Sequence, residues 1–167
     1  MLDIILFRHG QKGVAPFEDP HLTASGFQQA KSLTQLVEKK HLPKPSELWA
    51  SEKIRTVQTF SDLSQNLKLQ IQIKPELNVR GDFENQKNFR QRVQNLIQVL
   101  QVSSETNTVS QFIFLCTHYD WIEEALGVIQ SNSDLKSFEF SHWAPAQFIH
   151  FKLNEGLWTV HQKGRAL

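Results

Sequence analysis

The feature that most constrains the fold is a short apolar segment at the N-terminus. Residues Leu2 to Phe7 are apolar with one exception, and Arg8, His9 and Gly10 follow them directly. A segment of this length is too short for a typical helix and predicts a strand buried on both faces, as in a parallel sheet. Open α/β sheets bind their ligands beyond the carboxyl ends of the strands. The strand therefore brings a cation, Arg8, and a titratable nitrogen, that of His9, to the crevice where ligands bind. The alternative interpretation is that the strand simply ends in polar residues exposed to solvent.

The length and charge of the chain limit the kinds of protein it can be. The 167 residues are expected to form one domain, residues 1–167, with a core of its own. The formal net charge is +1 and no basic stripe or acidic tail occurs, so neither a nucleic acid nor a membrane is expected as a partner. Cys116 is the only cysteine, which excludes an intrachain disulfide framework and a cysteine-rich metal site.

The sequence carries no sign of export or membrane insertion. The N-terminal apolar segment lacks the preceding basic region and the cleavage site of small residues that mark a secretory signal. No apolar stretch approaches the ~20 residues that a transmembrane helix needs. We therefore expect a soluble, cytoplasmic protein, with a monomer favoured and the oligomeric state left open.

The pattern of apolar residues predicts strands and helices that alternate along the chain. Recurrence at three- and four-residue spacing predicts helices over residues 24–37, 54–67, 89–100 and 122–129. Apolar runs predict strands at 47–50, 69–73 (near a sheet edge) and 112–116, and a closing hairpin of 147–153 and 157–161. Ser51 is expected to cap the helix that follows it. This order predicts an α/β fold, a three-layer α/β/α sandwich whose mainly parallel central sheet has antiparallel end strands.

Two further segments place polar side chains at the same edge of the predicted sheet. Arg55 lies in the first turn of a predicted helix, where free backbone N–H groups and the helix dipole favour anions. His118 follows the predicted strand 112–116, so it should reach the same crevice as His9. An exposed helical arginine and a hydrogen-bonded structural histidine are the alternative interpretations.

Together these residues have the chemistry for phosphoryl transfer. The guanidinium groups of Arg8 and Arg55 match phosphoryl oxygens in shape and charge. A neutral His9 can attack phosphorus and hold the phosphoryl group covalently, and a protonated His118 can stabilise charge on its oxygens. Gly10 lets the backbone approach a ligand closely. We therefore predict phosphoryl transfer with no metal and no other cofactor, with catalytic residues His9, Arg8, Arg55 and His118 and phosphate-binding residues Arg8, Arg55, His118 and Gly10.

Four motifs occur in a characteristic order along the chain. They are Arg8-His9-Gly10, Leu22-Thr23-Ala24-Ser25-Gly26 at the start of a helix, Ser51 with Arg55, Gln58 and Thr59, and His118 after an apolar strand. In this order, between residue 4 and about residue 126, they resemble the histidine phosphatase (phosphoglycerate mutase-like) superfamily. The resemblance implies a phosphoglycerate mutase-like fold in which His9 is the phosphorylated nucleophile. Arg8, Arg55 and His118 would form the rest of the phosphate pocket.

Within that superfamily the chain is similar to the short phosphohistidine phosphatases of the SixA type. Between Thr59 and His118 there is room for one strand, one loop and one helix, but not for an insertion that could form a lid. The pocket is therefore expected to be shallow and open. That suits a phosphohistidine presented on a protein better than a small sugar phosphate. The Arg80-Gly81-Asp82 segment and the closing hairpin also resemble this subgroup.

The chain departs from the superfamily at the general acid. Mutase-like members usually carry a Glu two residues after the Leu of a Pro-x-Leu segment, where this chain has Val79 after Leu77. Another branch carries an Asp directly after the second catalytic histidine, where this chain has Tyr119. The departure fits a phosphoramidate, whose nitrogen leaves readily once protonated, and it also fits a weakened or inactive enzyme. The possible substitutes are Glu76, Asp82, Glu84 and Asp120.

Three functions are compatible with these residues. The first is a metal-independent phosphatase that removes phosphate from phosphohistidine on a signalling or phosphotransfer protein. The second is a small-molecule phosphomonoester phosphatase or mutase-like enzyme of the same superfamily, and the third is a non-catalytic module that binds phosphate or phosphohistidine. A cysteine-dependent phosphatase is not expected, because no arginine follows Cys116 in an anion-binding loop. Cys116 is interpreted as a buried strand residue.

Overall fold

One sheet of six strands organises the molecule. The computed structural model describes residues 1–167. The strands are β1 (Leu2–Arg8), β2 (Glu47–Ala50), β3 (Ile71–Ile73), β4 (Gln111–Thr117), β5 (Gln147–Asn154) and β6 (Leu157–Arg165). The helices are α1 (Ala24–Glu38), α2 (Ile54–Leu67), α3 (Gln86–Thr106) and α4 (Tyr119–Val128). None of the helices combines the length and the apolar character needed to cross a bilayer.

The strand order confirms the predicted fold class. The sheet runs β3-β2-β4-β1-β5-β6. The pairs β1–β4, β2–β4 and β2–β3 are parallel, and the pairs β1–β5 and β5–β6 are antiparallel. The sheet is therefore mainly parallel, with two antiparallel strands at one end. The edge position of β3 is also as predicted from its alternating apolar residues.

Helices cover both faces of the sheet, which explains the continuous apolar character of β1. Its side chains alternate between the two faces, as the pleat of a strand requires. Ile4 and Leu6 pack into the core formed with α3 and α4. Ile5 and Phe7 pack into the second core, formed with α1 and α2. A strand with a core on each side is therefore mostly apolar, and its one buried acidic residue, Asp3, is paired with the buried His150 at 2.6 Å.

The parallel register sets the position of the polar residues that follow the strands. Arg8 pairs with Thr117 in the β1–β4 ladder, so the next residues of both strands, His9 and His118, leave the sheet side by side. Ala50 pairs with Cys116 in the β2–β4 ladder. The segment after β2, which leads into α2, therefore emerges at the same edge of the sheet.

Two local predictions were wrong, and hydrogen bonds explain both. Ser51 does not cap α2, because the helix begins later and its N-cap is Lys53. The Ser51 hydroxyl is committed to other partners at the site described below. The strand β3 begins at Ile71 rather than at Leu69, because the backbone N–H of Leu69 donates to the carbonyl of Ser64 at the end of α2 (3.1 Å).

Candidate active site

The ends of β1 and β4 bring two buried histidines together. The backbone N–H of His9 donates to the Thr117 carbonyl at 3.1 Å, which extends the ladder by one residue. His118 is the N-cap residue of α4. The centroids of the two imidazole rings lie 5.4 Å apart, and the exposed fractions of His9 and His118 are only 4% and 3%. Both histidines therefore lie where the sequence placed them, at one edge of the sheet.

Arg55 joins the two histidines from the first turn of α2. Its Nε donates to Nε2 of His9 at 3.3 Å, and its Nη2 lies 3.3 Å from Nδ1 of His118. A guanidinium group can only donate hydrogen bonds. Each imidazole therefore presents an unprotonated nitrogen to Arg55, and the arginine is a site residue rather than an exposed helical one.

The other nitrogen of each ring carries the proton. Nδ1 of His9 lies 2.7 Å from the Gly10 carbonyl oxygen, and because a carbonyl only accepts, Nδ1 must donate. Nε2 of His118 donates to the Ser51 hydroxyl at 2.9 Å. Ser51 in turn lies 2.9 Å from the Thr56 hydroxyl. The hydrogen bonds thus fix one tautomer for each ring, and the unprotonated Nε2 of His9 directs its lone pair at Arg55.

Burial keeps both imidazoles neutral. Burial and, to a smaller extent, the charge of Arg55 lower the pKa of His9 to about 4. The hydrogen bond to the Gly10 carbonyl opposes this shift. Burial, followed by the charge of Arg55, lowers the pKa of His118 to about 2. His9 is therefore unprotonated at neutral pH, as a nucleophile must be. His118 is likewise neutral in the site without an anion, so the stabilising role predicted for its protonated form requires it to take up a proton.

Arg8 reaches the site from the last position of β1. Its Nη1 donates to the backbone carbonyl of Trp143, and its guanidinium carbon lies 5.3 Å from the centre of the Tyr119 ring. Its Nε is buried and has no hydrogen-bond partner in the protein. Burial lowers the pKa of Arg8, although an arginine remains charged in proteins. The site therefore has a fixed cation with a donor that an anion could satisfy.

Gly10 was predicted to bind phosphate, but its backbone N–H has a partner within the protein. Its N–H donates to the Thr59 hydroxyl at 2.9 Å, and that hydroxyl donates to the Arg55 carbonyl at 2.7 Å. The N–H is therefore committed and is not free to bind phosphate. A β-carbon at Gly10 would lie 3.1 Å from the Gly26 carbonyl oxygen, so this glycine permits close packing of the loop against α1.

Asp19 is a site residue that the sequence analysis missed. Its carboxylate lies 3.8 Å from Nη1 of Arg55, and both of its oxygens accept the Ile54 N–H at the start of α2, at 3.1 and 3.2 Å. An acidic residue in a polar loop gives no periodicity or spacing signal. Its importance follows only from the packing of that loop against the helix.

None of the four candidate general acids contacts the two histidines. Glu84 accepts hydrogen bonds from Arg92 at 2.7 and 2.9 Å, and these bonds lower the pKa of its carboxyl group. The side chains of Glu76 and Asp82 are exposed. Asp120 accepts the backbone N–H groups of Arg80 and Trp121 at 3.0 and 2.7 Å. It is the one candidate whose charge acts on Arg55, where it opposes the lowering of the pKa by burial.

The fold and the site define an α/β protein in which two arginines and two histidines meet at one edge of a mainly parallel sheet. The model of the histidine phosphatase superfamily (branch 1) matches residues 4–81. This match includes the Arg8-His9-Gly10 motif and Arg55. No curated protein matches the chain.

Solved structures share the fold over nearly the whole chain. A protein from Escherichia coli str. K-12 assigned as an alpha-ribazole-5'-P phosphatase has a TM-score of 0.77 at 20% identity, over 99% of this chain and 98% of that one. The protein histidine phosphatase SixA with tungstate has a TM-score of 0.74 at 16% identity, over 98% and 97%. A mutant phosphoserine phosphatase from Entamoeba histolytica with phosphoserine has a TM-score of 0.71 at 14% identity, over 98% and 96%.

These matches agree with the resemblance predicted from the four motifs, because the superfamily model matches residues 4–81, and the solved structures confirm the predicted phosphoglycerate mutase-like fold. At these identities the structural matches establish the fold, and they do not single out one substrate class. The three relatives differ in the substrates that their names give. The substrate has to be argued from the site itself.

Proposed function

We propose that the protein is a metal-independent phosphatase that works through a phosphorylated His9 and removes phosphate from phosphohistidine on a signalling or phosphotransfer protein. One observation carries the proposal. The unprotonated Nε2 of His9 faces the guanidinium group of Arg55 at 3.3 Å, so a nucleophile and a binding group for phosphoryl oxygens share one place. The matched superfamily supports the same chemistry.

The first step transfers the phosphoryl group to His9. Arg55 exchanges its hydrogen bonds to the two imidazoles for bonds to the phosphoryl oxygens, while Arg8 holds another oxygen. The lone pair of His9 Nε2 attacks phosphorus, and the P–N bond to the substrate imidazole breaks. The leaving nitrogen takes a proton from water, because no carboxylate contacts the two histidines. A phosphoramidate tolerates this arrangement better than an ester, whose alkoxide is a poorer leaving group.

The second step returns the free enzyme. Water attacks the phosphorus of phospho-His9, and the bond to Nε2 breaks and restores its lone pair. Nδ1 of His9 keeps its proton through both steps and donates it to the Gly10 carbonyl oxygen, 2.7 Å away. The anion raises the pKa of His118 by its charge, so this imidazole can take up a proton while the phosphoryl group is bound.

The segment between α2 and β4 supports a protein substrate. It consists of the short strand β3, a 3₁₀ turn at Pro75–Leu77 and the helix α3, and α3 packs into the core beneath the sheet. This leaves no insertion in that segment to enclose a small molecule. A side chain presented on another protein can enter an open site without such an enclosure.

Two other functions have support of their own. A small-molecule phosphomonoester phosphatase is favoured by the likeness to structures named for phosphoserine and alpha-ribazole-5'-P. A non-catalytic module that binds phosphohistidine is favoured by the lack of a carboxylate at the two imidazoles. The substrate preference and the fate of the bound phosphate separate these functions from the proposed one.

The test compares a histidine-phosphotransfer domain phosphorylated on its histidine with p-nitrophenyl phosphate. We expect phosphate release from the domain, and an acid-labile, base-stable phosphoryl group on His9 after rapid quenching. His9→Ala should abolish both, whereas His41→Ala, at an exposed histidine, should change neither. Preference for the ester would overturn the phosphohistidine assignment. Tight binding of phosphate, with no phosphate released from either substrate, would overturn the assignment of the protein as an enzyme.

A further inference from the structure

The guanidinium group of Arg8 has one edge bound by the protein and one edge left free. Its Nη1 donates to the Trp143 carbonyl, and this is the only hydrogen bond that the side chain makes. Its Nε is buried and has no partner in the protein. The N–H groups of Nε and Nη2 form the fork with which an arginine binds two oxygens of a carboxylate or a phosphoryl group. Arg8 therefore keeps a complete fork for an anion.

Arg55 is arranged differently. Its three nitrogens are directed at His9, His118 and Asp19, so it can bind an anion only by giving up a contact. Arg8 has no such contact to give up on its Nε–Nη2 edge. Burial and the charge of Arg55 lower the pKa of both histidines, and the charge of Arg8 adds to this effect, so that charge reaches the pocket. Arg8 is thus the arginine whose fork is ready for phosphoryl oxygens.

An aromatic ring covers one face of the Arg8 guanidinium group. The guanidinium carbon lies 5.3 Å from the centre of the Tyr119 ring, which is within the range of a cation–π contact. Tyr119 is the first residue of α4, and its ring packs against the core beneath that helix. The core therefore holds the ring, and the ring limits how the guanidinium group can tilt.

The chemical nature of residue 119 matters for the fork. A carboxylate beside a guanidinium group forms a bidentate ion pair with it, and would here compete with phosphate. The ring of Tyr119 attracts the cation through its face, and its hydroxyl accepts no hydrogen bond from Arg8. Tyr119 can therefore hold the guanidinium group while the fork stays free for the anion.

The carbonyl of Trp143 is held in place by its own segment. The Trp143 side chain is buried, and its indole N–H donates to the Phe140 carbonyl at 3.0 Å. His142, the residue before it, has a left-handed backbone with φ of 60°. Ala146 also has a left-handed backbone, with φ of 61°, and its N–H donates to the His9 carbonyl at 3.1 Å. This segment therefore contacts both Arg8 and the residue that follows it.

The backbone strain of this segment lies where it contacts the site. Non-glycine residues keep a left-handed conformation only where the surrounding structure imposes it, and such residues cluster at functional sites. We infer that Tyr119 and the Trp143 carbonyl are positioning groups, which hold the Arg8 guanidinium group so that its Nε–Nη2 edge binds two oxygens of one phosphoryl group. The ring fixes the plane of the guanidinium group, and the carbonyl fixes its rotation within that plane. The inference rests on the proposed function for the identity of the anion.

The test of the ring measures the binding of inorganic phosphate and of tungstate by calorimetry, which needs no turnover. Tyr119→Leu removes the ring face, and we expect the dissociation constants to rise by roughly threefold to tenfold. Tyr119→Phe keeps the face and should stay within about twofold of the parent protein. The matched control is Phe89→Leu, because the Phe89 ring lies 5.0 Å from the guanidinium carbon of Arg92, an arginine that is paired with Glu84. This control should bind both anions as the parent protein does.

A double-mutant cycle shows whether the ring acts through Arg8. Arg8→Gln removes both the cation and the fork. If the ring works by holding Arg8, adding Tyr119→Leu to Arg8→Gln should change the dissociation constant for phosphate by less than about twofold, whereas the effects of independent groups would add. A loss of general packing at Tyr119 would weaken binding in both backgrounds.

The test of the carbonyl changes the residue before Trp143. His142→Pro forces φ to about −65° and moves the peptide that follows, whereas His142→Gly accepts the left-handed conformation. The His142 N–H donates no hydrogen bond, and Ser141 has the extended backbone that a following proline requires (φ −87°, ψ 170°). We expect the dissociation constant for phosphate to rise by roughly threefold or more in His142→Pro and to stay unchanged in His142→Gly.

Three outcomes would overturn the inference about the ring. They are phosphate binding by Tyr119→Leu equal to that of the parent protein, an equal loss in Tyr119→Phe, and an undiminished effect of Tyr119→Leu in the Arg8→Gln background. Unchanged phosphate binding by His142→Pro would overturn the role of the Trp143 carbonyl. The proposed function fails separately, if no phosphate is released from the phosphorylated domain. The expected affinities would then still support the positioning of Arg8.

Discussion

The carboxylate of Asp19 is the third partner of the Arg55 guanidinium group, at 3.8 Å from its Nη1. The other two partners are His9 and His118. All three nitrogens of this arginine are thus directed by the protein before an anion arrives. An anion that binds Arg55 must compete with the negative charge of Asp19, so we expect this carboxylate to weaken the binding of phosphate.

Asp19→Asn should tighten phosphate binding. The amide oxygen can still accept the Ile54 N–H, so the start of α2 keeps its cap, while the competing charge is removed. A partly exposed ion pair is worth up to about 1 kcal/mol, so we expect the inhibition constant for phosphate or tungstate to fall by about threefold to fivefold. Glu18→Gln, at an exposed neighbour, should leave the inhibition constant unchanged. An unchanged or weaker inhibition by tungstate in Asp19→Asn would contradict the role given to this charge.

Ser51→Ala should impair turnover more than substrate binding. The substitution leaves the buried Nε2–H of His118 without its acceptor, which typically costs about 1–3 kcal/mol, and it frees the ring to turn away from Arg55. We expect kcat to fall by roughly tenfold or more, with a smaller change in KM and a changed tautomer signal for His118 in ¹⁵N NMR. The control is Ser61→Ala, whose hydroxyl bonds only within α2. Retention of both kcat and the tautomer would show that Ser51 does not position the ring.

The two buried histidines should make the fold less stable in acid. The pKa of His9 in the folded protein is about 4 and that of His118 about 2, whereas both lie near 6.5 in the unfolded chain. Below about pH 6.5 the unfolded state therefore binds up to two protons that the folded state does not, and its free energy falls relative to the folded state. The free energy of unfolding should decrease as the pH falls from 7 to 4. Urea titrations should show a flatter pH dependence for the variant His9→Gln with His118→Gln, and an equal dependence would contradict this assignment.

Gly26→Ala should destabilise the protein, whereas Gly127→Ala should not. A β-carbon at Gly26 would lie 2.2 Å from the backbone oxygen of Gln11, which forces the loop after His9 away from α1. At Gly127, within α4, nothing lies within 4 Å of the added carbon, and alanine is favoured over glycine in a helix by up to about 1 kcal/mol. Thermal unfolding should show a lower Tm for the first variant and an equal or higher Tm for the second. A Tm for Gly26→Ala equal to that of the parent would show that the loop adapts at no cost.

The fold could be predicted from the sequence because its central strands are strongly constrained. A strand with a core on each side, such as β1 or β4, has a mostly apolar run that ends where the strand leaves the sheet, and this run predicted both positions within one or two residues. The start of α2 could not be predicted in this way. Ser51 is a good capping residue locally, but its hydroxyl hydrogen bonds with His118, a residue distant in the sequence.

The candidate site was predictable only in part, for a related reason. His9 and His118 directly follow β1 and β4, and Arg55 lies in the first turn of the helix after β2, so topology brings the three together. Asp19 and the Trp143 carbonyl lie in loops whose course depends on tertiary packing. The commitment of the Gly10 N–H to Thr59 and the neutral state of His118 depend on hydrogen bonds and burial, which a sequence does not display.

The place of β1 in the sheet has a consequence for the newly made chain. Its two neighbours are β4, which ends at Thr117, and β5, which begins at Gln147. During synthesis β1 is made before the other five strands of the sheet. It stays unpaired until β4 and β5 have also been made. Contacts so distant in sequence form late, and an unpaired apolar strand is prone to aggregation meanwhile. The arrangement around His9 therefore needs β4 and β5, and we expect a nascent fragment that ends before β5 to lack it.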